Sequence, residues 1–365
     1  MGTPEYTLPE ALELFHKLGL DGAEIVVQDG YRCGIPQDAD SDELKRLREL
    51  ADRLGLRIIA LTPYYSKFND LDPTVREGEI QGICKVIGYA EILGAKYIRI
   101  YAGNYAQTDT DPDGAKRANL VRSMRRLGDA AQKANVKLVM ENHFNTMTVS
   151  AAESMSIARE IDHPAVGILY DQANLTFTEN EPWEEALPLQ FSKLYHTHVK
   201  DLVFRAGNTG FTSSDVSHPK EEERNVITRI VGEGIVPWPA ILQAMKDRGY
   251  DGWLSLEYER RWHPRDIPDA AIGMTESGKG YIAWLNEALE LSGAKRIGFE
   301  DETMTVADHE RYRKNLQAEL VPASALLHAL RAQKDVRELE RMEQAQRIAE
   351  KALEQILTEI RPGVT

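Results

Sequence analysis

The sequence predicts an α/β fold in which parallel strands and helices alternate around a barrel. Short β-rich segments alternate with amphipathic helical stretches up to about residue 290, the pattern expected of repeated βα units. Glycine also follows several predicted helices just before the next strand, where it is favoured as a C-cap. These glycines are Gly19, Gly55, Gly94 and Gly249.

Seven strands are predicted from runs of apolar and β-branched residues, at 23–28, 57–62, 96–101, 137–142, 166–171, 193–200 and 253–258. Helices between them include 42–54, with Ser41 as its N-cap, and 75–93. A (β/α)8 TIM barrel has eight strands. Residues 1–7 are too few and too interrupted by proline for a clear strand, so we expect the first strand to be short or missing.

The chain changes character after about residue 296, and we predict two domains. Residues 1–296 form the catalytic barrel, and residues 297–365 form a helical C-terminal extension. Within 335–360, apolar residues recur every three to four positions, which predicts an amphipathic helix of about seven turns. Such a stripe needs a partner surface, so we expect it to pack on the barrel or to mediate oligomerisation.

Composition narrows the classes of function. The longest apolar runs are far shorter than a membrane span, which predicts that the protein does not enter a membrane. The 58 acidic residues exceed the 44 basic ones, and a net charge of −14 opposes binding to nucleic acid. Two cysteines without a CxxC pair, and no apolar segment after Met1, predict a cytoplasmic location.

Four predicted strands carry a metal-binding side chain at or near their carboxyl ends: Glu141, Asp171, His198 and Glu257. Parallel barrel strands gather these ends at one mouth, so we expect a shared site. Taken singly, an aspartate at a strand end is more often a helix cap. Together, three carboxylates and an imidazole favour Mn²⁺, with Mg²⁺, Co²⁺ and Zn²⁺ as alternatives.

The chain resembles the xylose-isomerase-like TIM-barrel family of sugar isomerases, epimerases and dehydratases over roughly residues 8–290. The resemblance is carried by ENH at 141–143, YDQAN at 170–174, HTHVKD at 196–201 and the block from GEGIVPWP to WLSLEYE at 232–259. It implies that Glu141, Asp171, His198 and Glu257 are the metal ligands. It also implies that Glu141 and Glu257 form the acid/base pair, while His196 is not a ligand.

Further residues are candidates for the reaction and for substrate binding. His143 is predicted to share a face with Glu141, so it could take the proton itself, or it could orient Glu141. The candidates for holding a polyol are Arg99, Tyr101, Tyr65, Lys200, Trp262 and His263. Two of these residues could instead have a purely structural role. Lys200 could be a rim residue facing solvent, and Trp262 could plug the barrel top.

These observations predict a metal-dependent sugar isomerase or epimerase that removes a proton next to a carbonyl and passes through an enediolate. The alternative is a lyase that performs β-elimination on a 3-oxo glycoside, or an inosose-type dehydratase. β-Elimination on a 3-oxo glycoside is the reaction of the C-glycoside deglycosidases. Their large subunit is similar to this barrel and pairs with a small second subunit. We therefore expect a small sugar substrate and a homo-oligomer, with a small second subunit as an option.

Two other functions are less favoured. An endonuclease IV-like repair enzyme shares this barrel, but it needs several more histidines for a multinuclear zinc site and a basic surface. This chain has nine histidines and a net charge of −14. A non-catalytic binding module would leave the complete set of four ligands without a purpose.

Overall fold

Seven parallel strands form the central sheet, and they follow one another around it in chain order. In the computed structural model, the described residues are 2–259 except 209 and 219, followed by 286, 289–290, 292–299, 301, 304, 306–325 and 346–347. The strands are β1 (Gly22–Val27), β2 (Arg57–Pro63), β3 (Tyr97–Ile100), β4 (Lys137–Glu141), β5 (Val166–Asp171), β6 (Leu194–Val199) and β9 (Leu254–Leu256). The prediction of an α/β barrel is thus confirmed. No strand lies in the described residues before β1, as expected.

Helices connect the strands and cover the outside of the sheet. They are α1 (Leu8–Lys17), α2 (Ser41–Arg53), α3 (Pro73–Leu93), α4 (Ala115–Lys133), α5 (Ala151–Ile161), α6 (Gln172–Glu179), α7 (Trp183–Gln190), α8 (Ser214–Ser217) and α9 (Trp238–Asp247). Short 3₁₀ turns occupy Lys67–Asn69, Phe191–Lys193 and Glu221–Glu223. Among the described residues, every helix is too short or too polar to cross a membrane.

Local chemistry explains where the helices begin and end. Thr7 and Glu10 form a capping box at α1, with each side chain bonded to the other's backbone N–H. Asp40, rather than the predicted Ser41, caps α2, because its carboxylate accepts from Asp42 N at 2.8 Å. Gly94 ends α3 with φ of 72°, a conformation that glycine adopts without steric cost.

The core lies on both faces of the sheet, as is usual for parallel strands. Every residue of β5 is buried, and six of the seven residues of β2 are. The carboxyl ends of the strands share this burial, so polar side chains there are held away from water and need partners within the protein.

An antiparallel hairpin follows the sixth barrel strand directly. It consists of β7 (Asp201–Phe204) and β8 (Val226–Arg229), and it was not among the predicted strands. The polar segment between these strands carries α8, whose Val216 and Ser217 line the cavity at the mouth of the barrel.

The chain divides into two compact units, Met1–Gly280 and Tyr281–Thr365. In the second, β10 (Arg296–Phe299) pairs in parallel with β11 (Glu319–Pro322), and α10 (Val306–Asn315) lies between them in the chain. The described part of the extension therefore contains strands as well as a helix. The long amphipathic helix predicted at 335–360 lies outside the described residues, apart from 346 and 347.

Candidate metal centre

The structure brings together all four residues predicted as metal ligands. Glu141 ends β4, Asp171 ends β5, His198 lies on β6 as the register partner of Asp171, and Glu257 directly follows β9. One donor atom from each of the four lies within 4.8 Å of the others. The common carboxyl end of the parallel strands is what gathers residues that are 116 positions apart in the chain, from 141 to 257.

His198 lies between several carboxylates. Its Nδ1 is 3.0 Å from Glu257 Oε2 and 3.5 Å from Glu141 Oε1, while its Nε2 is 2.9 Å from Glu24 Oε1. Burial opposes the charged imidazolium, but Glu24 and Glu257 outweigh burial and raise the pKa of His198 well above its usual value. The ring is thus in a strongly negative environment.

Asp171 uses its two oxygens differently. Oδ1 accepts from Asn174 N at 2.9 Å and so caps α6, which is the ordinary role of an aspartate at a strand end. Oδ2 is turned to the cluster and lies 3.3 Å from Lys200 Nζ. Burial raises the pKa of Asp171 to about 6, with Lys200 opposing the shift and Glu257 and Glu141 adding to it.

Lys200 is buried within the cluster rather than exposed at its rim. Only 3% of the residue is exposed, and Nζ lies 3.3 Å from one oxygen each of Asp171, Glu257 and Glu259. Burial lowers the pKa of Lys200, but these carboxylates more than compensate and raise it well above its usual value. The alternative of a solvent-facing lysine is therefore wrong.

Arg99 forms a buried ion pair with Glu141, a carboxylate of the cluster that Lys200 does not contact. Its Nη1 lies 3.3 Å from Glu141 Oε2, and its guanidinium sits over the rings of Tyr101 at 3.7 Å and Tyr64 at 5.1 Å. Arg99 Nε is buried and makes no hydrogen bond within the described part of the chain. Both members of this pair are buried, with side chains 4% and 3% exposed, so the charges interact strongly.

The donor set fits a divalent cation. Within the part of the chain that the structure describes, the cluster contains five carboxylates against two permanent cations, namely Glu24, Glu141, Asp171, Glu257 and Glu259 against Arg99 and Lys200. Three donor atoms, Asp171 Oδ2, His198 Nδ1 and Glu257 Oε2, are buried without a hydrogen bond from the described residues, although charged neighbours are close. A bound cation would neutralise the excess negative charge, and it would give these three converging atoms a partner.

His143 lines the same cavity, which has a volume of about 220 Å³. Its Nδ1 is 2.7 Å from the carbonyl oxygen of Phe144, and because a carbonyl only accepts, Nδ1 carries the proton. Burial lowers the pKa of His143, although Glu141 opposes the shift. The neutral ring therefore keeps a lone pair on Nε2.

The other predicted substrate residues have three different outcomes. Arg99 and Tyr101 line the cavity, whereas Tyr65 packs against α3, where a Cβ added to Gly82 would lie 2.3 Å from its ring. Tyr64 lines the cavity instead, because neighbouring residues of an extended chain point to opposite sides. Trp262 and His263 lie outside the described residues.

Two residues that the sequence did not assign to the site belong to its surroundings. Glu24 on β1 contacts His196 and His198, and Glu259 contacts Lys200. A signal for Glu24 was present in the sequence, since it is the single charged residue in the otherwise apolar strand GAEIVV.

Known proteins resemble this chain at low identity. An inosose dehydratase of Geobacillus thermodenitrificans is 26% identical over 141 residues, which is 39% of this chain and 46% of that protein. The chain thus aligns with less than half the length of that curated relative. A creatinase/prolidase N-terminal domain model also matches residues 252–333, under a quarter of the chain.

Solved structures share the fold. A probable 3-DHS dehydratase from Bacillus anthracis matches with a TM-score of 0.61 and 17% identity, covering 75% of this chain and 94% of its own. A 3-keto-D-glucoside 4-epimerase from E. coli matches with a TM-score of 0.54 and 18% identity, covering 78% and 95%. At these identities the likeness establishes the fold alone.

A family model also matches most of the chain. The model described as xylose isomerase-like TIM barrel matches residues 12–277, which include β1, the whole sheet and all four predicted ligands. The chain therefore belongs to the xylose isomerase-like TIM barrel family.

Proposed function

We propose that this protein is a divalent-metal-dependent sugar isomerase or epimerase that removes a proton next to a carbonyl. The observation that carries the proposal is the convergence of Glu141, Asp171, His198 and Glu257 at the mouth of a barrel of this family. Mn²⁺ is our first choice of cation because hard oxygen donors dominate the set, with Mg²⁺, Co²⁺ and Zn²⁺ as alternatives.

The four ligands would hold the cation through three carboxylates and the Nδ1 of His198. A cation in that position would polarise a substrate carbonyl and make the neighbouring C–H group more acidic. The remaining steps depend on the protein's own side chains, which must orient the substrate and move the proton.

Proton transfer is assigned to Glu257 and Glu141. Glu141 ends β4 and Glu257 directly follows β9, with β5 and β6 between these strands in the sheet, and we propose that the two carboxylates act on different sides of a bound substrate. Burial opposes ionisation of Glu257, but Lys200 and His198 lower its pKa well below its usual value, so it is ionised and able to accept a proton. Its side chain is 25% exposed, against 3% for Glu141, so it is the more accessible of the two.

His143 is the second candidate for the base. Its Nδ1 hydrogen bond leaves Nε2 able to take a proton, and the ring lies 4.5 Å from that of Tyr101. Because its proton is directed to Phe144 O rather than to a carboxylate, the structure favours a direct role over one of orienting Glu141.

The cavity walls suit a polyol. Arg99, Tyr64 and Tyr101 form a continuous wall in which the guanidinium stacks on both rings. The guanidinium and phenol groups can bond hydroxyl or carbonyl oxygens of a sugar. We propose a small-molecule sugar or sugar derivative as the substrate.

Elimination is the second candidate function. It uses the same proton abstraction, after which a group on the adjacent carbon leaves as water or as the aglycone of a 3-oxo glycoside. The match to inosose dehydratases supports this candidate. Isomerisation and elimination differ in the fate of the enediolate rather than in the ligand set.

Incubation of the Mn²⁺-loaded enzyme in D₂O with ketoses, an inosose and 3-oxo glycosides distinguishes the candidates. Deuterium at carbon in a product that is otherwise of unchanged mass supports isomerisation or epimerisation, whereas release of water or of an aglycone supports elimination. Neither exchange nor product from any substrate with the wild type would count against both. Glu257→Gln is the control, and it should show neither exchange nor product.

A further inference from the structure

Glu24 links two histidines with one carboxylate. Its Oε2 lies 2.9 Å from His196 Nε2, and its Oε1 lies 2.9 Å from His198 Nε2. Glu24 is on β1 and both histidines are on β6, and these strands are not neighbours in the sheet. The contact therefore crosses the interior of the barrel, with all three side chains at most 10% exposed.

The carboxylate decides which nitrogen of His198 faces the cluster. An ionised carboxylate only accepts, so Nε2 of His198 must carry the proton that it donates to Glu24. The opposite nitrogen, Nδ1, then points at Glu257 and Glu141, at 3.0 and 3.5 Å. In a neutral ring with Nε2 protonated, Nδ1 is the nitrogen that carries a lone pair for a metal.

We infer that Glu24 is a positioning residue that fixes the orientation and the tautomer of His198, so that Nδ1 is presented to the cation. The inference rests on the proposed metal site, and it assigns to Glu24 a role outside the ligand set. Carboxylates that accept from the distal nitrogen of a ligating histidine orient the ring and raise its basicity.

His196 supports the same arrangement. It is completely buried, its ring stacks on Tyr97 at 5.0 Å with an angle of 13° between the planes, and its Nε2 occupies the second oxygen of Glu24. With both oxygens engaged, the carboxylate cannot rotate without losing a buried hydrogen bond, which is unfavourable. His196 thus fixes Glu24, and Glu24 fixes His198.

The three side chains also have donor atoms close enough to bind a cation of their own, within 4.8 Å. Both oxygens of Glu24 already lie at hydrogen-bond distance from an imidazole nitrogen, so a cation there would have to displace both bonds. The geometry therefore points to positioning, and the number of cations bound per chain separates the two roles.

The test is Mn²⁺ titration by calorimetry of the wild type, Glu24→Gln and Glu24→Asp, with the exposed Glu49→Gln on α2 as a matched control. We expect one cation per wild-type chain and an affinity about 10- to 100-fold weaker in Glu24→Gln, because an amide has one oxygen and can accept from only one histidine. Glu24→Asp keeps a carboxylate on a shorter side chain, so its loss should be smaller. Glu49→Gln should match the wild type.

A second readout separates positioning from general stability. The visible absorption of bound Co²⁺ reports ligand geometry, and it should change in Glu24→Gln at a temperature at which circular dichroism shows the variant folded. If Glu24→Gln does not fold, Glu24→Asp carries the test, with weaker Mn²⁺ binding as the expected result.

Other outcomes would overturn the inference. Affinity within about threefold of the wild type in a folded Glu24 variant would remove the positioning role while leaving the metal site intact. Two cations in the wild type and one in Glu24→Gln would make Glu24 a ligand instead. A wild type that binds no divalent cation would remove the inference together with the proposed function.

Discussion

Glu257 is assigned both to the proposed metal site and to proton transfer, so its removal should affect metal binding and chemistry together. It is the more exposed member of the proposed acid/base pair and lies 3.3 Å from Lys200 and 3.0 Å from His198. We expect Glu257→Gln to lower kcat at least about 1,000-fold, since proton transfer alone contributes about 10²- to 10⁴-fold. Steady-state kinetics on the substrate identified in D₂O measure this, and activity near the wild-type level would refute the assigned site.

His143 should behave differently from the ligands. Its hydrogen bond is to the backbone of Phe144, so its loss should leave the metal-binding groups in place. We expect His143→Gln to reduce kcat about 100-fold or more, with Mn²⁺ affinity unchanged within about threefold. An affinity that falls in parallel with activity would show instead that His143 orients Glu141.

The convergence of Glu141, Asp171, His198 and Glu257 could be predicted because each lies at or near the end of an apolar strand, and the barrel brings those ends together. The sequence marks Glu24 as the single charged residue of its strand, but it does not show that this side chain reaches His196 and His198 across the barrel, 172 and 174 positions away. Of the adjacent residues Tyr64 and Tyr65, Tyr64 is the one that lines the cavity, and the sequence does not say which of two such neighbours turns inward.

At the scale of elements, one aspartate ties the hairpin of β7 and β8 to the chain that follows it. Asp201 is completely buried, and its two oxygens accept from four backbone N–H groups, those of Leu202, Gly232, Gly234 and Val236. A Cβ on Gly234 would lie 2.0 Å from Asp201 Oδ1, so this position requires glycine. The second glycine of the GEG motif is thus required by the close approach of Asp201.

Replacing this aspartate should destabilise the barrel unit. Asp201→Asn leaves one oxygen for four donors, so we expect a loss of about 1.5–3 kcal/mol in the free energy of unfolding. Urea denaturation followed by circular dichroism measures it. Asp113→Asn, at an exposed position in the loop before α4, is the control, and equal stability of the two variants would contradict the role given to Asp201.

Most barrel elements could be predicted from their periodicity, whereas β7 and β8 could not. Each has four residues and they flank a polar segment, so neither gives a clear apolar pattern. The start of α2 was displaced by one residue because Asp40 and Ser41 are both good N-caps, and only the structure shows whose side chain reaches the free N–H groups.

At the scale of the whole molecule, the second compact unit is the proposed site of oligomerisation. Removing residues 281–365 takes away the second unit. We expect the shortened chain to remain folded and to bind Mn²⁺ as the full chain does, because all four proposed ligands belong to the first unit. We also expect its mass in solution to fall to that of a monomer, as measured by light scattering. An unchanged number of subunits would count against a role of the extension in oligomerisation.

The sequence supplied the fold class of the molecule, because alternation of strand and helix patterns persists over most of its length. It could not supply the β-α-β unit of β10, α10 and β11, whose strands are four residues each. A cytoplasmic location, a homo-oligomer and a small second subunit stay predictions, since they depend on surfaces and partners rather than on the pattern of one chain.

The most direct test of the central claim is anomalous diffraction from crystals of the Mn²⁺-loaded protein. We expect one strong anomalous peak within coordinating distance of Glu141, Asp171, His198 and Glu257, with Nδ1 as the histidine ligand. A peak elsewhere, or between Glu24 and His196, would contradict the assignment of the metal centre, as would the absence of a peak at these four residues.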